Sequence, residues 1–248
     1  MMSEPVLTTS NLIAGYEPDL PIVRGIDFAV SKGELVVLLG PNGAGKSTFV
    51  KAIAGLVPIH SGSMTLAGRD ITKVAPHKKV AEGLAFVPQT ENVFATMSIL
   101  ENLQIAVAHL PKPKRAAKIE EIFQQFSDLA TKPSRLAGAL SGGQRQMLAV
   151  ARALALDPPV IILDEPSAGL SPKIVAEVFA MLKSINAAGV TVILVEQNVK
   201  AALAIADRAV ILAEGKIRHA GRPEDLANDP LVGRIYLGTA HPQGELRA

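Results

Sequence analysis

The chain has 248 residues and carries 25 Lys and Arg against 23 Asp and Glu, a formal net charge of +2. So even a balance argues against nucleic-acid binding by bulk charge, and no nucleic-acid partner is expected. The absence of cysteine removes disulfides, thiolate metal sites and cysteine nucleophiles, and the 48% of hydrophobic residues is ample for a packed core and too much for a disordered chain.

Residues 6–14 and 22–30 read as short strands, with Tyr16 just past the end of the first. Residues 35–39 form a continuous apolar run bounded by glycines, the pattern of a strand buried on both faces of a parallel sheet. A glycine-rich turn leads into a helix over 46–55. The stretch 98–140 is more charged and poor in buried strands, and reads as a small helical lobe interrupted at 112–115. Helical patterns over 142–156 and 172–187 alternate with buried strands at 160–163 and 191–195, as in an α/β fold. A hairpin over 207–221 turning at 214–216, a short helix over 223–228 and an irregular tail complete the chain. The longest apolar runs are strand-sized, short of the roughly 20 residues a membrane-spanning helix needs. The opening Met1-Met2-Ser3-Glu4-Pro5 lacks the charged and apolar regions of a secretory signal.

The strongest chemical signal is Gly40-Pro41-Asn42-Gly43-Ala44-Gly45-Lys46-Ser47-Thr48, which matches the phosphate-binding pattern G-x-x-x-x-G-K-[ST]. Glycines let successive backbone N–H groups point into one concavity, and the following helix adds the positive end of its dipole. Lys46 brings a full charge to the β- and γ-phosphates, and the Ser47 hydroxyl suits Mg²⁺.

In Val160-Ile161-Ile162-Leu163-Asp164-Glu165, four apolar residues deliver two carboxylates to the carboxyl edge of a sheet, where open α/β folds bind ligands. Alternation sends the two acids to different sides, so Asp164 is assigned to the metal and Glu165 to the attacking water. In Leu140-Ser141-Gly142-Gly143-Gln144, Ser141 is a good helix N-cap, and the paired glycines expose N–H groups for a second anion site.

These motifs, with Gln89 between them, resemble in order and spacing the nucleotide-binding subunit of ATP-binding-cassette (ABC) transporters, over about residues 6–229. The Leu-Ser-Gly-Gly-Gln pentapeptide is highly specific to that family; the phosphate loop alone is not. The resemblance implies a P-loop NTPase core with a mainly parallel sheet, an N-terminal antiparallel β part and an inserted helical subdomain. It divides the chain into core (about 6–92 and 158–229), helical subdomain (about 93–157) and tail (230–248). It further implies ATP and Mg²⁺ as ligands. Tyr16 looks like the aromatic that stacks on adenine, with a strand-end core tyrosine as the alternative. Gln89 resembles the glutamine that reaches the magnesium and senses the γ-phosphate. Ser141 and Gly143, with Gly142 and Gln144, would contact the γ-phosphate held by another subunit, so that ATP completes two sites at one interface.

Two departures from the family pattern stand out. The position usually held by histidine after the last core strand is Gln197, which can hydrogen-bond the γ-phosphate but carries no charge and relays no proton. Ser171 takes the place of a frequent aspartate. The strings over 165–172 and 195–198 are similar to the ATPase subunits of branched-chain amino acid importers, or of the related urea and amide importers. That similarity implies a peripheral protein on the cytoplasmic face of the inner membrane. Its partners would be a second ATPase subunit, identical or different, integral permease subunits and a substrate-binding protein. A soluble non-transporter ATPase of the same class is the alternative. Its repair and chromosome-organising members insert long coiled coils, whereas fewer than a hundred residues separate Lys46 from Ser141 here. The basic run Lys112, Lys114, Arg115 and Lys118 reads as a solvated helix face.

Overall fold

The computed structural model describes residues 4–227; the tail over 230–248 and the last residue of the short helix over 223–228 lie outside the described residues. The chain runs β1 (Pro5–Ala14), β2 (Val23–Ser31), β3 (Leu35–Leu39), α1 (Lys46–Ala54), β4 (Ile59–Leu66), β5 (Arg69–Asp70), α2 (Pro76–Ala81) and β6 (Leu84–Val87). It continues with α3 (Ile99–Ala106), α4 (Lys112–Gln125), α5 (Ser127–Ala130), α6 (Gly142–Leu154), β7 (Val160–Asp164), α7 (Pro172–Ala187), β8 (Thr191–Val195) and α8 (Val199–Leu203). A hairpin of β9 (Arg208–Ala213) and β10 (Lys216–Gly221) leads to α9 (Pro223–Ala227).

Two sheets result. One is antiparallel with order β2-β1-β4-β5. The other has order β10-β9-β3-β8-β7-β6, parallel from β9 to β6 with β10 antiparallel at one edge. This is the α/β architecture of a P-loop NTPase, with β3 central and its carboxyl end feeding the phosphate loop.

The continuous apolar runs are explained by the two faces they cover. Leu35, Val37, Leu39, Ile161, Leu163, Val192 and Leu194 point into a core shared with α6 and α7 through Leu148, Val178 and Leu182. Their neighbours Val36, Leu38, Ile162, Ile193 and Val195 point the other way, onto Phe49 and Ile53 of α1 and onto Leu7 and Leu12 of the antiparallel sheet. A strand sandwiched this way has no solvated face, so period-two alternation disappears from its sequence.

Three elements carry little sequence signal. In β4 only Met64 and Leu66 are buried, because its first half lies on the rim of the antiparallel sheet. The four-residue β6 pairs only with β7 and forms the far edge of the parallel sheet. The six residues of α2 bury a single side chain, that of Lys79. The basic run departs from the solvated face expected of it at one position. Lys118 is buried and bridges Glu121 within α4 to Asp157, which follows α6.

Candidate active site

The site is built where β3, β7 and β8 end side by side. Gly40 opens the phosphate loop with its Cα so close to β9 that an added Cβ would stand 2.3 Å from the Leu212 carbonyl oxygen. Gly45, at φ +97°, turns the chain into α1, whose N-terminus has neither a side-chain cap nor an acid in its first turn. Those N–H groups are therefore left for an anion. The Lys46 ammonium folds back over its own loop, donating to the carbonyls of Gly40 at 2.6 Å and Pro41 at 3.1 Å. Burial lowers its pKa, opposed by the negative charges of Glu165 and Asp164.

Asp164 is the last residue of β7 and only 2% exposed. Its Oδ1 accepts from the Ser47 hydroxyl at 2.9 Å. Burial raises its pKa, and the Ser47 bond pulls the other way, helped by Lys51 and Lys46. Ser47 and Asp164 thus place two hard oxygen donors together. No cluster of three or more acidic, histidine or cysteine ligands stands among the described residues. A sparse oxygen set of this kind fits Mg²⁺, which keeps several waters and takes its remaining ligands from substrate phosphates.

Glu165 follows in a left-handed backbone conformation, φ +50°, with its N–H bonded to the Val195 carbonyl at 2.9 Å. Two amides meet on its carboxylate. Gln89 Nε2 donates to Oε2 at 3.0 Å, and Gln197 Nε2 donates to Oε1 and Oε2 at 2.8 Å each. A carboxylate only accepts, so it fixes which end of each amide faces it. Gln89 comes from the loop after β6 and Gln197 from the turn after β8, so the acid is held from both flanking strands. Gln89 lies on Glu165 here, not on the Ser47–Asp164 pair.

The remaining sequence candidates are more dispersed. Tyr16 is 60% exposed, which discards the core-tyrosine alternative and leaves its ring free. Ser141 caps α6 in a reciprocal box: its hydroxyl accepts from Gln144 N–H, and the Gln144 carboxamide oxygen accepts from Ser141 N–H. These bonds stay within the Leu140–Gln144 motif. Within one chain no hydrogen bond among the described residues joins that motif to the phosphate loop. Gly142 and Gly143 have a packing reason as well. A Cβ on them would stand 2.7 Å from Leu170 Cδ2 and 2.4 Å from Ile174 Cγ2. Ser171 is the N-cap of α7 but makes no side-chain cap bond.

Two sets of polar residues were not visible in the sequence. Asn92, three residues past Gln89, donates to Gln146 Oε1 at 3.0 Å, and its carbonyl accepts from Arg152 at 2.6 Å. The Arg152 guanidinium also lies over the Phe94 ring, 4.5 Å from its centroid. The Gln89 loop is in this way fastened to α6, the helix that begins at the Ser-Gly-Gly motif. The second is Glu196, fully buried beside Gln197 and hydrogen-bonded to Ser167. A buried acid flanked by polar residues leaves no periodic trace.

The sequence and the fold are matched by known proteins. The ABC transporter family model matches residues 23–168. A probable branched-chain amino acid transport ATP-binding protein LivF of Archaeoglobus fulgidus is 40% identical over 94% of this chain and 99% of its own length. The lipopolysaccharide export system ATP-binding protein LptB of Acidithiobacillus ferridurans is 37% identical over 96% of this chain and 98% of its own. The crystal structure of the ADP conformation of MJ1267, an ATP-binding cassette of an ABC transporter, superposes with a TM-score of 0.84 at 28% identity, covering 95% of this chain and all of that one. With a phosphate loop, an acid pair and a capped Ser-Gly-Gly helix in place over a matching fold, the chain belongs to the ABC transporter family, as one of its ATP-hydrolysing subunits.

Proposed function

We propose that this chain drives an importer of branched-chain amino acids, with Glu165 as the base for ATP hydrolysis. The observation that carries the catalytic reading is the convergence of the Gln89 and Gln197 amides on the Glu165 carboxylate beside the phosphate loop. The triphosphate lies in the loop over 40–48 with adenine on Tyr16. Lys46 exchanges the Gly40 and Pro41 carbonyls for phosphate oxygens. Ser47 and Asp164 hold Mg²⁺, which when bound neutralises phosphate charge, and Gln89 reports the nucleotide state to the helical lobe. A water bonded to Glu165 attacks the γ-phosphorus. The new P–O bond forms as the bond to the ADP oxygen breaks, and the water proton passes to the carboxylate. General-base help of this kind is worth about 10²–10⁴-fold. Gln197 orients that carboxylate but, being neutral, neither donates charge nor relays the proton.

In this reading the domain division is core 6–92 and 158–229 with helical subdomain 93–157. Ser141 through Gln144 grip the γ-phosphate of a second ATPase subunit, and hydrolysis loosens the pair. No helix among the described residues is long and apolar enough to cross a membrane. In the importer reading the chain works from the cytoplasmic face, on permease subunits served by a substrate-binding protein. The importer assignment is supported by the 40% identity to the relative named for branched-chain amino acid transport. The 37% identity to a lipopolysaccharide-export ATPase favours a second reading, an exporter motor of the same mechanism. Affinity purification from the native membrane separates them. Co-purification of an amino-acid permease supports import, lipopolysaccharide-export partners support the second reading, and ribosomes or nucleic acid contradict both.

A further inference from the structure

Glu196 has no role in the mechanism above, yet its carboxylate is 1% exposed and surrounded by donors. Ser167 N–H reaches Oε1 at 3.0 Å. The Ser167 hydroxyl at 2.8 Å and the Gln197 N–H at 3.1 Å reach Oε2, with Asn198 N–H at 3.5 Å on the same oxygen. No Lys, Arg or His pairs with it among the described residues. Burial raises its carboxyl above the usual carboxylate range, offset only in part by the bonds from Ser167, Gln197 and Asn198.

The donor pattern decides the chemical form. Both oxygens face backbone N–H groups, which cannot turn round to accept. A protonated acid could place its hydrogen only on the Ser167 hydroxyl oxygen, and an amide would aim a second hydrogen at a backbone N–H, whereas an ionised carboxylate accepts from all four donors.

The two segments it joins are those that carry the reacting groups. Ser167 closes the turn that begins at Glu165, where Ala168 N–H bonds the Glu165 carbonyl at 3.2 Å. Glu165 sits at φ +50°, a conformation costly for a residue with a Cβ and kept only where the surroundings over-determine it. On the other side Glu196 holds the N–H of Gln197, whose amide is on the Glu165 carboxylate. Three residues beyond Ser167, Leu170 lies over Gly142 at the start of the Ser-Gly-Gly helix.

We propose that Glu196 is a positioning residue. Its buried anion staples the Glu165–Ser167 turn to the Gln197 turn, and so holds the Gln197 amide on the catalytic carboxylate. This rests on the reading of Glu165 as base, which the same assay tests separately.

The test is steady-state ATP turnover of the protein, with melting temperature as a control, for wild type, Glu165→Gln, Glu196→Gln, Ser167→Ala, Ser167→Thr and the Glu196→Gln/Ser167→Ala pair. The staple predicts that Glu196→Gln lowers kcat by about tenfold or more, the scale of a lost charged hydrogen bond, with KM for ATP held within about twofold. Ser167→Ala, which removes the hydroxyl bond and keeps the N–H bond, lowers kcat by a smaller factor, and Ser167→Thr, which keeps the hydroxyl, restores it. The pair is no worse than Glu196→Gln alone, because the hydroxyl bond that Ser167→Ala removes is one of those that Glu196→Gln already disrupts. Wild-type kcat in folded Glu196→Gln, or losses that multiply in the pair, overturns the staple. Should Glu196→Gln not fold, Ser167→Ala decides: reduced kcat at unchanged KM supports the staple, wild-type kcat overturns it. Retained turnover in Glu165→Gln overturns the base assignment and the staple with it. Lost turnover there, beside full activity in Glu196→Gln, removes the staple alone.

Discussion

Gln197 Nε2 lies 2.8 Å from each carboxylate oxygen of Glu165, so a neutral amide bridges the acid where the family usually places an imidazole. An amide does not titrate, and Gln197 gives the wild type no step of its own near neutral pH. Gln197→His introduces one. A free imidazole titrates at about 6.5 and an adjacent carboxylate raises it. The kcat–pH profile of the variant should gain an inflection at or somewhat above that pH which the wild type lacks. Superimposable profiles would contradict the proposed role of position 197 in holding Glu165 for turnover.

Two glycines of the phosphate loop should respond differently to alanine. At Gly40 the new Cβ meets the Leu212 carbonyl at 2.3 Å, and the rigid edge of β9 cannot yield. At Gly43, φ +80°, a Cβ meets nothing within 4 Å and only the backbone preference is lost, about 1–2 kcal/mol. Urea denaturation should show the larger loss for Gly40→Ala, and ATP binding should fail there first.

Asn102 is wholly buried in α3 and holds the bend before it. It accepts from Phe94 N–H at 2.9 Å and donates to the carbonyls of Phe94 at 3.0 Å and Ser98 at 2.9 Å. Asn102→Leu leaves the Phe94 N–H without a partner, while the Phe94 and Ser98 carbonyls keep the backbone N–H groups of Met97 and of position 102, and should cost about 1–3 kcal/mol in denaturation. Nucleotide affinity should change little, because α3 packs on the face of the parallel sheet opposite to α1, the helix that the phosphate loop leads into.

Lys79 is 1% exposed, donates to the Ile53 carbonyl at 2.9 Å near the end of α1, and is lowered by burial to about 8. Its unfolded value is 10.5, so between these two values the unfolded chain binds more protons and stability rises with pH. Relative to Lys79→Met, the wild type should gain about 1–2 kcal/mol between pH 7.5 and 9.5, on the linkage relation. A constant difference across that range would place the ammonium in water.

The architecture was legible wherever burial on two faces wrote itself into the chain. The runs ending at Leu39, Asp164 and Val195 are apolar throughout because each strand is covered above and below. The hairpin was legible because Glu214 and Gly215, both at positive φ, make the tight turn their sequence suggests. β4 escaped notice because a rim strand needs few buried residues. Glu196 and Asn92 escaped because their partners, Ser167 and Gln146, are brought to them only by the sheet order and the packing of α6. Lys118 read as solvated because Asp157, one of its two acids, is far away in sequence. The glycines after Ser141 were read for an anion alone, although Leu170 and Ile174 also require them.

The account stands most directly on Glu165, the acid that receives both amides. The measurement is ATP turnover of Glu165→Gln beside wild type at saturating ATP, with binding of a fluorescent ATP analogue followed in parallel. Binding should be preserved, since the phosphate loop is untouched, while turnover falls by about 10²–10⁴-fold, the scale of a lost general base. Turnover within about twofold of wild type, far inside that scale, would contradict the assignment.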